Sequence, residues 1–178
     1  MIKKNDISYQ HSLLSKDDIF LFNEGTNYQL YRHLGAHLIY DGDLKGVHFA
    51  VWAPNAEEVS VIGDFNGWQK TSHPLKQFHM GSGIWEGFIA NLNSGMRYKY
   101  HIKSRFKQYS VDKRDPFAFY GEKPPLTASM IWDLDYQWQD KAWMKERKEK
   151  NQLNQPFSIY EVHLGSWCRK NESEIDFL

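Results

Sequence analysis

Met96-Arg97-Tyr98-Lys99-Tyr100-His101-Ile102-Lys103 alternates apolar and cationic residues without a break. Successive side chains of a strand point to opposite faces, so Met96, Tyr98, Tyr100 and Ile102 face a core while Arg97, Lys99, His101 and Lys103 face solvent. Neighbouring stretches share this period. In Val47-His48-Phe49-Ala50-Val51-Trp52, the residues Val47, Phe49 and Val51 share one face before Pro54-Asn55 ends the run. Val59 to Ile62 reads as another strand, and so does Ile84 to Ile89 after Gly81-Ser82-Gly83. Short alternating runs punctuated by turn residues, from about Leu44 to Ile131, predict a sandwich of antiparallel strands. Asn66-Gly67 predicts a type I′ turn with positive φ at both central positions.

Either side of this region the texture changes. Residues 1–40 combine a short apolar cluster, Ile19 to Phe22, with polar residues and a break at Glu24-Gly25-Thr26-Asn27, and read as a lead-in to the sandwich of residues 41–131. Residues 132–156 read as a helical connector. Asp140 is its expected N-cap, 141–150 its helix, and Pro156 its end. Trp143, Met144 and Arg147 share one side there, with Lys145/Glu149 and Glu146/Lys150 as i,i+4 pairs. Phe157 to Leu164 then reads as a mostly apolar strand with no visible partner, the way a parallel α/β unit begins. An uncovered strand of this kind leaves self-association open as a partner mode. Glu161 and His163 lie on one side of it and read as polar core contacts.

The chain of 178 residues suits one ordinary domain, or a smaller one with appendages. Its 22 basic and 22 acidic residues balance, which excludes a broad electrostatic footprint for nucleic acid or an anionic membrane and favours a neutral ligand. Aromatic residues make up 16% of the chain, so some rings must be exposed. Cys168 is alone, the N-terminus is polar, and no run has transmembrane length; a cytoplasmic protein is the expectation.

In Val61-Ile62-Gly63-Asp64-Phe65-Asn66-Gly67-Trp68 an aromatic follows a tight turn. A tryptophan face offers a sugar ring apolar area and a π-surface, which makes Trp68 the lead binding residue; the alternative is that it folds back as a core plug. Lys99 on the exposed strand face either donates to sugar hydroxyls or only protects the edge. Asp64, Glu86, Asp112 and Asp115 are scattered and read as turn formers or solvated charges. His33 and His37 lack further ligands for zinc, and neither a phosphate loop nor a nucleophile elbow is present, so no metal or cofactor is expected.

Gly63-Asp64-Phe65-Asn66-Gly67-Trp68, Arg97-Tyr98-Lys99-Tyr100, Asp115-Pro116-Phe117-Ala118 and Ser158-Ile159-Tyr160-Glu161-Val162-His163-Leu164-Gly165-Ser166-Trp167 occur in this order. Together they resemble the N-terminal part of bacterial glycogen (1,4-α-glucan) branching enzymes, and the middle region resembles carbohydrate-binding module family 48. The resemblance implies an immunoglobulin-like (early-set) β-sandwich followed, over residues 157–178, by the first strand of a truncated (β/α)₈ barrel. It also implies α-1,4-glucan or glycogen as partner. The module's turn tryptophan matches Trp68 and its strand lysine Lys99, with Asn66 in the same turn. Its second stacking aromatic belongs in the following hairpin, where this chain has Phe106 and Tyr109. The same module also occurs in the β-subunit of an energy-sensing kinase, and the asparagine expected there just before the last strand has no clear match among Thr127-Ala128-Ser129. Family chemistry is a double displacement by an Asp and a Glu that transfers a glucan segment to a 6-hydroxyl. No residue of this chain matches those carboxylates, so no catalytic residue is assigned and the chain alone is expected to be inactive. A stand-alone glycan-binding or targeting protein is the alternative.

Overall fold

The computed structural model describes residues 7–9, 12–41, 44–78, 81–107, 109–154, 156–163, 169–171 and 174–175. The chain divides into two compact units, Met1–Leu134 and Asp135–Leu178. In the first, two antiparallel sheets face each other. One has the order β1 (Ile7–Ser8), β5 (Ile84–Ala90), β3 (Leu44–Trp52), β2 (Gly35–Asp41). The other has the order β4 (Ala56–Gly63), β6 (Arg97–Ser104), β9 (Ser129–Met130), β8 (Tyr120–Gly121), with β7 (Ser110–Lys113) also paired to β6.

Alternation explains the core between the sheets. Val47, Phe49, Val51 and Ile89 come from one, Val59, Val61, Tyr98 and Tyr100 from the other, and Leu75 and Ile131 close the ends. Each such side chain is worth roughly 1.5–3 kcal/mol when fully buried. The two tyrosines are buried along their whole length because Asp115 waits at their tips: Tyr98 Oη donates to Asp115 Oδ2 at 2.6 Å and Tyr100 Oη at 3.2 Å. Burial raises the Asp115 carboxyl above its ordinary range, against the hydrogen bonds from Tyr98, Phe117 and Tyr100 that favour its ionised form.

The outer face of the first sheet is covered too. Residues 12–34 lie across it and build a second core of Leu14, Ile19, Leu34, Ala50 and Ile84. Within this segment α1 (Lys16–Glu24) starts at a capping box, in which Ser15 and Asp18 satisfy each other's backbone, and stops at Gly25 in the left-handed region, φ 75°. The lead-in is thus built into the sandwich: β1, α1 and β2 all precede residue 42. A second correction concerns Glu86. Expected as a solvated charge, it is fully buried, accepting from Ser12 Oγ at 2.7 Å and bonded to His48 Nε2 at 3.0 Å. Residue-by-residue alternation cannot show this, because it leaves open what covers a strand's second face.

The Asn66-Gly67 turn also differs from expectation. Positive φ falls on Gly67 (60°) and Trp68 (61°) rather than on Asn66, which ends a 3₁₀ turn over Asp64–Asn66. The turn does not join a hairpin, for β4 pairs with β6 while β5 belongs to the other sheet. Residues between them bridge the two sheets, through Ser60 to Pro74 and Lys76 to Glu86.

In the second unit, α2 (Lys141–Lys150) forms as expected, with Arg147 over the Trp143 ring and an ion pair between Lys150 and Glu146. Asp140 occupies the N-cap position without a side-chain cap bond, and Asn151 ends the helix before Pro156 is reached. The strand expected from Phe157 to Leu164 is not formed over 157–163, where Phe157, Ile159 and Tyr160 are exposed; Leu164 lies outside the described residues. A strand needs a ladder partner, and among the described residues none pairs with it. The two-stranded ribbon of this unit is β10 (Arg169–Asn171) with β11 (Glu174–Ile175).

Candidate functional site

The motif around Trp68 divides its labour residue by residue. Gly63 closes β4 where the chain passes so near the Arg97 carbonyl that a Cβ would collide with it. Phe65 turns inward, packing on the core and meeting Phe49 at 6.3 Å and His73 edge-on at 5.5 Å. Asn66 ties the loop together. Its Oδ1 accepts from Gly63 N at 2.9 Å, and its Nδ2 shares its two hydrogens among three acceptors, Val61 O, Ser72 Oγ and His73 Nδ1, each 2.9 Å away. These bonds engage the Asn66 amide within the protein and fix the loop that carries Trp68.

Phe65 therefore fills the plug role that Trp68 had as its alternative. Trp68 is half-buried, and its backbone N donates to Gly63 O at 3.0 Å. A tryptophan at φ 61° costs about 1–2 kcal/mol relative to relaxed backbone. The surrounding bonds over-determine this geometry, as they do where strain is kept for a purpose.

Asp64 anchors the motif to β6. Arg97 donates to it three times, from the backbone N at 3.1 Å and from Nε and Nη2 at 2.9 Å each. The Asp64 carboxyl is held below its ordinary range, first by hydrogen bonds from the Arg97 side chain, with a smaller contribution from the Trp68 side chain. Nη1 of Arg97 reaches Glu122 Oε1 at 3.2 Å.

Lys99 lies on the same outer face as Arg97, two residues along β6, opposite Ile62 of β4. Its Nζ donates to Thr127 Oγ1 at 2.8 Å. Trp68 and Lys99 are thus brought to one end of the second sheet, and Thr127 joins them, a residue the sequence raised only where an asparagine had no match. Phe106 and Tyr109 lie in the loop between β6 and β7, at the other end of β6. From Lys99 to Ser104 is five strand steps, roughly 17 Å. Phe106 is exposed at the loop, while Tyr109 lines a groove of about 280 Å³ with Trp52, Pro54, Ile102, Val111 and Lys113.

Residues 33–118, which hold both sheets' central strands and the Trp68 turn, match carbohydrate-binding module 48 (isoamylase N-terminal domain). That family's fold, an immunoglobulin-like sandwich, agrees with the two antiparallel sheets of the first unit. It is 52% identical over 163 residues to the 1,4-alpha-glucan branching enzyme GlgB of Albidiferax ferrireducens, covering 92% of this chain and 26% of that one. To the enzyme of the same name from Aquifex aeolicus it is 50% identical over 167 residues, covering 94% and 26%. The chain thus spans about a quarter of the length of the curated relatives it matches. Among solved structures, pullulanase of Klebsiella pneumoniae complexed with maltotriose is 27% identical over 58% of this chain and 10% of that one, with a TM-score of 0.47. Among the described residues no helix is long and apolar enough to cross a membrane.

Proposed function

We propose that this chain is the α-glucan-binding portion of a 1,4-α-glucan branching enzyme, with glycogen as the polymer held. The observation that carries the proposal is Trp68, kept on strained backbone and out of the core by Asn66, Asp64 and Gly63, beside a lysine on the same sheet face. A flat aromatic face takes the C–H surface of a glucose ring, and Lys99 and Thr127 supply donors and acceptors for hydroxyls. Similarity to branching enzymes supports an α-1,4-linked ligand. In the whole protein this unit would hold the polymer while carboxylates elsewhere move an α-1,4 segment onto a 6-hydroxyl. On this reading residues 157–178 begin the catalytic barrel, residues 132–156 connect to it, and the chain alone branches nothing in the cytoplasm or in the test tube.

Affinity electrophoresis in gels containing glycogen tests the proposal. Retention that falls in both Trp68→Ala and Lys99→Ala supports it; retention unchanged in both refutes glucan binding at this face. New α-1,6 branches made in amylose by the purified chain would contradict its inactivity.

A further inference from the structure

The row of cross-strand partners that carries Arg97 continues past β6. Arg97 is paired with Met130 of β9, and Met130 with Tyr120 of β8. Directly opposed residues of antiparallel strands share a face, so Tyr120 stands on the same outer face as Arg97 and Lys99. Two residues beyond Met130, Trp132 stacks on Tyr120 with ring centroids 4.4 Å apart and planes 20° from parallel. Both rings remain open to solvent, Tyr120 at 48% and Trp132 at 40%. The face therefore bears aromatic surface at both margins: Trp68 just past the end of β4, and the Tyr120–Trp132 stack at β8 and β9. Three interstrand gaps of about 4.8 Å separate β4 from β8, roughly 14 Å in all.

The ground between them is polar and electrically neutral. Two cations, Arg97 and Lys99, stand against two carboxylates, Asp64 and Glu122, and each is fixed by a partner. Arg97 bridges Asp64 and Glu122, Glu122 Oε2 accepts from Ala128 N at 2.8 Å, and Lys99 donates to Thr127. An anionic ligand finds no surplus of positive charge here. A neutral, hydroxyl-rich chain finds donors and acceptors already in place, which lowers the ordering cost of binding.

We propose that Tyr120 and Trp132 form a second stacking platform for the same α-glucan, the polymer crossing the strands from Trp68 to Trp132 over Arg97 and Lys99. This inference rests on the reading that Trp68 and Lys99 hold glucan. It places the second aromatic contact on β8 and β9, away from Phe106 and Tyr109. Mutual stacking fixes the two rings before the ligand arrives, so a sugar meets an outer ring face already held in place.

The test is affinity electrophoresis of the full chain in glycogen-containing gels, with thermal unfolding to show that each variant is folded. Trp132→Ala should weaken retention roughly three- to tenfold, and Trp132→Phe should keep most of it. Should Trp132→Ala fail to fold, Tyr120→Leu, which leaves Trp132 in place, carries the same expectation. Folded Trp132→Ala or Tyr120→Leu retained like the parent, while Trp68→Ala is not, overturns this inference and leaves the Trp68 reading standing. If Trp68→Ala is retained as well, both fall. Loss on Phe106→Ala alone returns the second contact to the loop after β6 and overturns the inference. So does a dimer in sedimentation that Trp132→Ala abolishes while glycogen retention is unchanged, for the face then belongs to a second copy.

Discussion

Arg97 and Asp64 meet as a fork, Nε and Nη2 of the guanidinium lying 2.9 Å from the two carboxylate oxygens, with the Arg97 backbone N as a third donor. The pair binds β6 to the loop that presents Trp68, so a bond between charges sets the position of an aromatic. Asp64→Asn keeps the shape and removes the fork's charge, and we expect it to weaken glycogen retention several-fold and to lower the melting temperature slightly at neutral pH. Because the folded carboxyl lies below its ordinary value of 3.8, its contribution is complete above that pH and is lost as pH falls through the lower folded value. Stability compared between parent and variant from neutral pH downward should therefore converge only in strong acid.

Asn66 is expected to matter for the loop and, through it, for binding. Asn66→Ala leaves the buried groups of Val61 and Gly63 short of partners, at a cost of about 1–3 kcal/mol. Thermal unfolding should show the loss, and glycogen retention should fall with it. Asn66→Asp fares no better, because a carboxylate cannot donate to the Val61 carbonyl.

Asp115 is the polar centre between the two buried tyrosines and the chain turn at Phe117. Asp115→Ala leaves Tyr98 Oη without its 2.6 Å acceptor and should cost about 1–3 kcal/mol in urea unfolding. Burial raises the folded carboxyl above its ordinary value of 3.8, so what this group adds to stability is full below that pH and declines as pH rises through the folded value. Parent and variant should accordingly differ more at about pH 3.5, below the ordinary value, than at pH 7; a gap that widens toward neutral pH contradicts the assignment.

His48 and Glu86 are buried under the segment that holds α1, and Ser12 ties that segment to Glu86. His48→Ala takes away one of the two partners of Glu86 Oε2, so it should cost about 1–3 kcal/mol. Ser12→Ala is milder and local: amide exchange over 12–34 should quicken while the strands of the second sheet keep their protection.

Most of the sandwich was legible because its strands obey a period of two. Tyr98 and Tyr100 on one side, Arg97 and Lys99 on the other, follow from β6 alone. What escaped was whatever depends on a second layer. Ser15-x-x-Asp18 followed by Gly25 is a helix signature, yet α1 went unread within an apolar cluster; and the burial of Glu86 depends on the segment above it. In the site, Trp68 and Lys99 were reachable from motif and alternation. Asp64 with Arg97, Lys99 with Thr127, and Tyr120 with Trp132 are separated along the chain and are joined only by sheet register. The strand expected from Phe157 had the right composition, but composition cannot supply a ladder partner.

The central claim is that the outer face of the second sheet holds an α-glucan through Trp68. Retention of the chain in a glycogen gel, set beside that of a Trp68→Ala variant with an unchanged melting profile, tests it most directly. Strong retention of the parent and near-free migration of the variant are expected, whereas equal mobility of the two contradicts the claim.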